Sequence, residues 1–144
     1  MHIVLNTKKA AGSVAVDSVI DMTRWMLANL NRGELEGRRI LQPASYDVLW
    51  APTVRIPDKR YPGGHVGLSW FVKEIAGRRT VFHAGGDVGF RSLVLLAPDE
   101  RIGVVLASNW QLTPRETLAE DIFDIVLRSS PATKSGRSPT KEQR

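Results

Sequence analysis

No cysteine occurs among the 144 residues, which excludes a disulfide scaffold, a thiolate-held zinc or iron–sulfur centre, and a thiol nucleophile. Histidine is scarce. His2, His65 and His83 are the three, and no two of them have the spacing of a metal-binding pair, so no metal or other cofactor is expected. Long apolar runs are missing too. Stretches such as Leu93-Val94-Leu95-Leu96-Ala97 fall far short of the roughly 20 residues of a membrane span, so no membrane partner is expected. Met1-His2-Ile3-Val4-Leu5 is too short for the apolar part of a signal peptide, which leaves the compartment open. The glycine pairs near residues 63 and 85 lack the Lys-Ser/Thr ending of a phosphate loop.

What is present suffices for a core. A chain of this length removes about 70% of its unfolded surface from water without needing staples. The formal charge of +5 raises the question of a polyanionic partner. Lys134, Arg137, Lys141 and Arg144 against Glu142 put most of that excess into residues 129–144, leaving the body close to balance. A nucleic-acid partner would rest on this tail alone, and no aromatic residue is interleaved with its basic ones to give bases a stacking platform.

Ser18-Val19-Ile20-Asp21 reads as a capping box that starts a helix. Val19, Met22, Trp25, Met26 and Leu30 continue it at spacings of three and four, with Trp25 inside, and Asn31-Arg32-Gly33 ends it with Gly in a left-handed C′ position. Pro43 opens a second short helix that ends before Pro52. Residues 51–64, with three prolines and two glycines, predict an irregular loop.

Four strands then follow: Val66–Ile75, Thr80–Ala84, Phe90–Ala97 and Ile102–Ser108, joined by short turns that imply antiparallel neighbours. Ile102–Ala107 is apolar on both alternating faces and predicts a central strand. Thr113-Pro114-Arg115-Glu116 reads as a second capping box, and Leu118, Ile122, Ile125 and Val126 mark the buried face of a last helix. The expected fold is α+β, an antiparallel sheet with helices packed on it. Residues 1–128 form the domain and 129–144 a disordered basic tail.

The stretch Val81-Phe82-His83-Ala84-Gly85-Gly86-Asp87-Val88-Gly89-Phe90 holds the candidate chemistry. A strand ends in a histidine followed by glycines, so the backbone there can approach a ligand closely. Read from residues alone, it is in the first place an edge-strand histidine beside a loop, with Asp87 as a solvated turn carboxylate, and a ligand-lining strand end only in the second.

This stretch, with Ser92–Glu100 and Gly103–Asn109 after it, resembles the C-terminal region of the serine β-lactamase and penicillin-binding protein family, especially class C β-lactamases and related esterases and D-aminopeptidases. Ala11-Gly12, Asp21-Met22-Thr23-Arg24-Trp25, Leu41-Gln42-Pro43 and Gly67-Leu68-Ser69-Trp70 agree in order, so the resemblance runs over roughly residues 10–127 of the chain while implying only the C-terminal portion of the family unit.

The resemblance implies that His83 occupies the first position of a Lys/His-Thr/Ser-Gly triplet on the strand lining the active site, and that Gly86 supplies one backbone N–H of the oxyanion hole. Ala84 and Gly85 would line the substrate. Histidine in place of lysine makes the electrostatic role pH-sensitive. Ala84 has no hydroxyl to hold a substrate carboxylate, which favours ester or amide substrates without that anchor.

The family's Ser-x-x-Lys nucleophile motif has no counterpart upstream of the strand. The one match, Ser138-Pro139-Thr140-Lys141, lies in the tail. No Tyr-x-Asn exists either, since Tyr46 is followed by Asp47-Val48 and Tyr61 by Pro62-Gly63. The expectation is a hydrolase fragment that is silent alone and meets an ester or amide substrate only when an N-terminal part completes it. In full-length relatives a hairpin pairs beside the strand matched by Ile102–Ser108. Its absence implies an open sheet edge and hence a homo-oligomer or a partner fragment. The competing expectation is a non-catalytic binding or assembly module on the same framework.

Overall fold

The computed structural model describes residues 19–57, 59 and 61–129. Ser18 of the first capping box, Ala11-Gly12, and residues 130–144 with Ser138 and Lys141 lie outside the described residues.

Helix α1 (Val19–Leu30) leads into a two-stranded ribbon, β1 (Glu34–Leu35) and β2 (Arg38–Arg39), and then α2 (Pro43–Leu49). Six strands follow in sequence: β3 (Val54–Arg55), β4 (His65–Val66), β5 (Phe71–Ile75), β6 (Arg78–Asp87), β7 (Phe90–Ala97) and β8 (Ile102–Ser108). They form one antiparallel sheet in the order β3-β4-β5-β6-β7-β8, and α3 (Arg115–Ser129) closes the described chain. The α+β architecture is as expected, with more and shorter strands.

Differences from the expected elements have local causes. The loop of residues 51–64 contains β3, and the expected strand Val66–Ile75 is two strands broken by a turn at Gly67–Trp70, where Ser69 takes a φ of 60°. Strand β6 begins earlier than the expected Thr80. Its hairpin with β5 needs only Ala76 and Gly77, both left-handed at φ 51° and 71°, so Arg78 already pairs with Ile75. That is the twist-matched two-residue turn. At the end of α1 the left-handed C′ residue is Arg32 (φ 51°), with Gly33 following it. The bonds Arg32 N–H to Asn29 O (2.8 Å) and Gly33 N–H to Ala28 O (2.7 Å) are the Schellman pair.

The sheet separates two apolar layers. On one face α3 sets Ala119, Phe123 and Val126 against Phe82, Leu93, Leu95, Val104 and Leu106. On the other, Met26 and Leu30 of α1, Tyr46 of α2 and Trp50 just after it meet Val72, Val81, Val94, Leu96 and Val105. The buried stripe of α3 is therefore offset from the expected one, and Leu118 and Ile125 face solvent. Trp25 is half-exposed instead of core, its ring stacked on Trp70 at 5.4 Å. Helix α1 comes so close to the sheet that a Cβ at Gly103 would overlap Met26 Sδ.

Strand β8, expected to be central, is the last in the order and pairs only with β7 among the described residues. Its two-sided apolarity has another cause: α1 and α3 both pack on it. Burial of both faces reports layers above and below, and says nothing about neighbours in the sheet plane.

Candidate functional site

Strand β6 is ten residues long, while β5 is five, and their pairing stops at Phe71↔Phe82. Residues 83–87 consequently continue past the start of β5, bordered on one edge by β7 and on the other by no paired strand among the described residues. The β6–β7 hairpin closes on Asp87↔Phe90 around Val88-Gly89. Because bonded and non-bonded pairs alternate in an antiparallel ladder, His83, Gly85 and Asp87 exchange bonds with β7. Ala84 and Gly86 direct their N–H and C=O groups at the open edge.

The side chains alternate in the perpendicular sense. Phe82 and Ala84 join the layer under α3. His83 is exposed, with its ring 6.0 Å from that of Phe71 at the mouth of the gap. Small residues at 85 and 86 fit their surroundings. A Cβ at Gly85 would lie 2.6 Å from Ser92 Oγ, and one at Gly86 would lie 3.1 Å from both Arg91 Nη1 and Arg115 Nη1. Asp87 serves its turn, accepting from the Val88 N–H at 2.7 Å.

Two guanidinium groups thus border Gly86. Arg115 donates from Nη1 to Gly85 O (2.6 Å) and from Nε to Glu116 Oε1 (2.9 Å), which also accepts from Tyr61 OH (3.3 Å). Tyr61 lies beside Phe71 and Phe82, with ring centroids 5.5 and 5.4 Å apart. Arg91 Nη1 donates to Asp87 O (2.9 Å) and Phe90 O (2.7 Å). The second expected capping box is used differently: Thr113 Oγ1 lies 2.6 Å from Ser108 Oγ and donates to Trp110 O, and the Glu116 carboxylate goes to Arg115 and Tyr61.

Sequence reading brings His83, Ala84, Gly85 and Gly86 to one strand end but misses Arg115, Arg91, Glu116 and Tyr61, which arrive through tertiary packing. One signal was present. An arginine in the first turn of a helix opposes the macrodipole, and such a misplaced charge asks for a partner outside the helix. Among the described residues no three His, Asp or Glu side chains gather in a way that could hold a metal ion, and no helix is long and apolar enough to cross a membrane.

The sheet is thus covered by helices on both faces, and the Gly85-Gly86 strand end lies open beside His83 among the described residues. The family profile for Beta-lactamase matches residues 6–127, and the chain belongs to that family. The match corrects the expectation of a resemblance to the C-terminal portion only: it covers nearly the whole chain, α1 and α2 as well as the sheet.

The chain is similar to the unguisins hydrolase ungD' of Aspergillus campestris (strain IBT 28561), at 27% identity over 107 residues, 72% of this chain and 19% of that protein. Its fold is similar to that of the octameric penicillin-binding protein homologue from Pyrococcus abyssi, with a TM-score of 0.69 at 20% identity, covering 83% of this chain and 27% of that one. The chain spans about a fifth of the length of the first of these relatives and about a quarter of the second.

Proposed function

We propose that this chain supplies the oxyanion-binding wall of a β-lactamase-like serine hydrolase site. The observation that carries the reading is the edge of residues 83–87 that no strand pairs among the described residues, at which the ladder alternation aims the Gly86 N–H. An amide fixed at a strand end is a preorganised donor for the charge that develops on an acyl oxygen. His83, exposed beside it, hydrogen-bonds substrate or the catalytic apparatus and sets the local field. Ala84 and Gly85 offer a low wall without a hydroxyl, suited to ester or amide substrates that bring no carboxylate to anchor. Similarity to a protein named as a hydrolase supports a hydrolytic outcome of acyl transfer.

The serine nucleophile comes from outside this chain, whose sequence has no Ser-x-x-Lys ahead of the strand, so the chain by itself turns over nothing. The test is intact-mass analysis after a fluorophosphonate, alongside assays with a chromogenic β-lactam and a short-chain nitrophenyl ester. The expected result is an unlabelled chain and background rates. Turnover that survives Ser138→Ala and is lost in His83→Ala would contradict the assignment, because it would require a nucleophile within this chain.

A non-catalytic assembly role is favoured by one further observation, the outer edge of β8, which no strand pairs among the described residues. The Pyrococcus abyssi protein of similar fold is octameric, which lends support to self-association here. We assign β8 as the edge through which a second copy or a partner fragment joins the sheet.

A further inference from the structure

We infer that Arg115 is a positioning residue for the oxyanion donor, an inference that rests on the reading of Gly86 as that donor. Gly85 C=O and Gly86 N–H belong to one peptide unit, planar and trans. Holding the oxygen on one side of the strand fixes the hydrogen on the other. Arg115 Nη1 adds a charged donor at 2.6 Å to the ladder bond that this oxygen accepts from β7, across the peptide from the open edge. A cation donating to an amide carbonyl also draws charge through the amide, so the N–H opposite becomes a stronger donor.

The guanidinium is itself held. Its side chain is only 18% exposed and its Nε is paired with Glu116 at 2.9 Å. Tyr61 donates to the same carboxylate oxygen from its seat beside Phe71 and Phe82. The aromatic cluster under the strand, the first turn of α3 and the Gly85-Gly86 peptide therefore form one connected unit. Arg91 lies equally near Gly86 but spends its Nη1 on Asp87 O and Phe90 O, which secure the turn beyond. The two arginines divide the work: one pins the turn, and the other pins the donor peptide.

The test uses the full chain, labelled with nitrogen-15, as wild type, Arg115→Met, Arg115→Lys and Glu116→Gln, with phenylphosphonate as a tetrahedral anion. Without the anion, Arg115→Met should move the Gly86 amide nitrogen upfield, as expected when the preceding carbonyl loses its charged donor and keeps only its ladder bond from Ser92 N–H. It should also weaken phenylphosphonate binding at Gly86 about tenfold, the lower end for loss of a charge-assisted bond. Arg115→Lys should recover at least half of the chemical-shift change, and Glu116→Gln should give an intermediate shift even if Arg115→Met fails to fold. A Gly86 amide unmoved in every variant overturns the inference. So does a loss of phenylphosphonate affinity with the anion-free amide unmoved, which would make Arg115 a direct anion contact. If phenylphosphonate leaves the wild-type Gly86 amide unaffected, the oxyanion reading itself fails, while the anion-free shifts still decide whether Arg115 holds the peptide.

Discussion

Tyr46 is buried against Trp50, and burial pushes its phenol above the ordinary tyrosine range of about 10. The neutral phenol is favoured more in the folded state than in the unfolded chain. The resulting stability is fully present below the unfolded pKa and is lost as pH rises through it towards the folded value. Urea unfolding between pH 9 and pH 11 should show stability falling with pH, and Tyr46→Phe should flatten that fall. The sequence places His83 and Gly86 at a strand end, where a histidine is followed closely by paired glycines, while the roles proposed for them rest on the family resemblance. Arg115 is not placed in this way: its role depends on a carbonyl 30 residues away in the chain, and no local pattern carries such a distance.

At the scale of elements, face coverage decides stability. Phe123 is fully buried between α3 and the sheet, and Phe123→Ala should cost about 3–5 kcal/mol, because the fixed layer cannot close the space. Gly103→Val tests the opposite fault. Its added atoms meet Met26 across the α1–β8 contact, and overpacking of this kind costs about 1–3 kcal/mol. Denaturant midpoints measure both. Helix α2 and strands β7 and β8 were legible because apolar periodicity and proline placement are local properties. The break between β4 and β5 was not, because Ser69 adopts its left-handed turn without a glycine at that position. The rank of β8 in the sheet was misread for a related reason, since an apolar strand looks the same whether its edges are paired or free.

Across the whole molecule the two ends of the sheet differ. At one end β3 is two residues long and exposed, a short edge that offers little to another chain. At the other, β8 is seven residues of nearly continuous apolar sequence with α1 and α3 beside it. By the alternation that governs β6, the outward amides of β8 belong to Gly103, Val105 and Ala107. Light scattering should find association that grows with concentration. Ala107→Pro, which removes one outward N–H without touching a bond to β7, should weaken it severalfold while the near-ultraviolet circular dichroism is kept.

The proposed role of Gly86 requires its N–H to be free at a strand edge that no strand pairs among the described residues. Residue-resolved amide exchange measures this directly. Gly86 and Ala84 should exchange fast while Gly85 and His83, which alternate with them, are protected, and phenylphosphonate should slow Gly86 selectively. Protection of Gly86 equal to that of Gly85 in the ligand-free chain would contradict the proposed role, since an amide already bonded cannot receive an oxyanion.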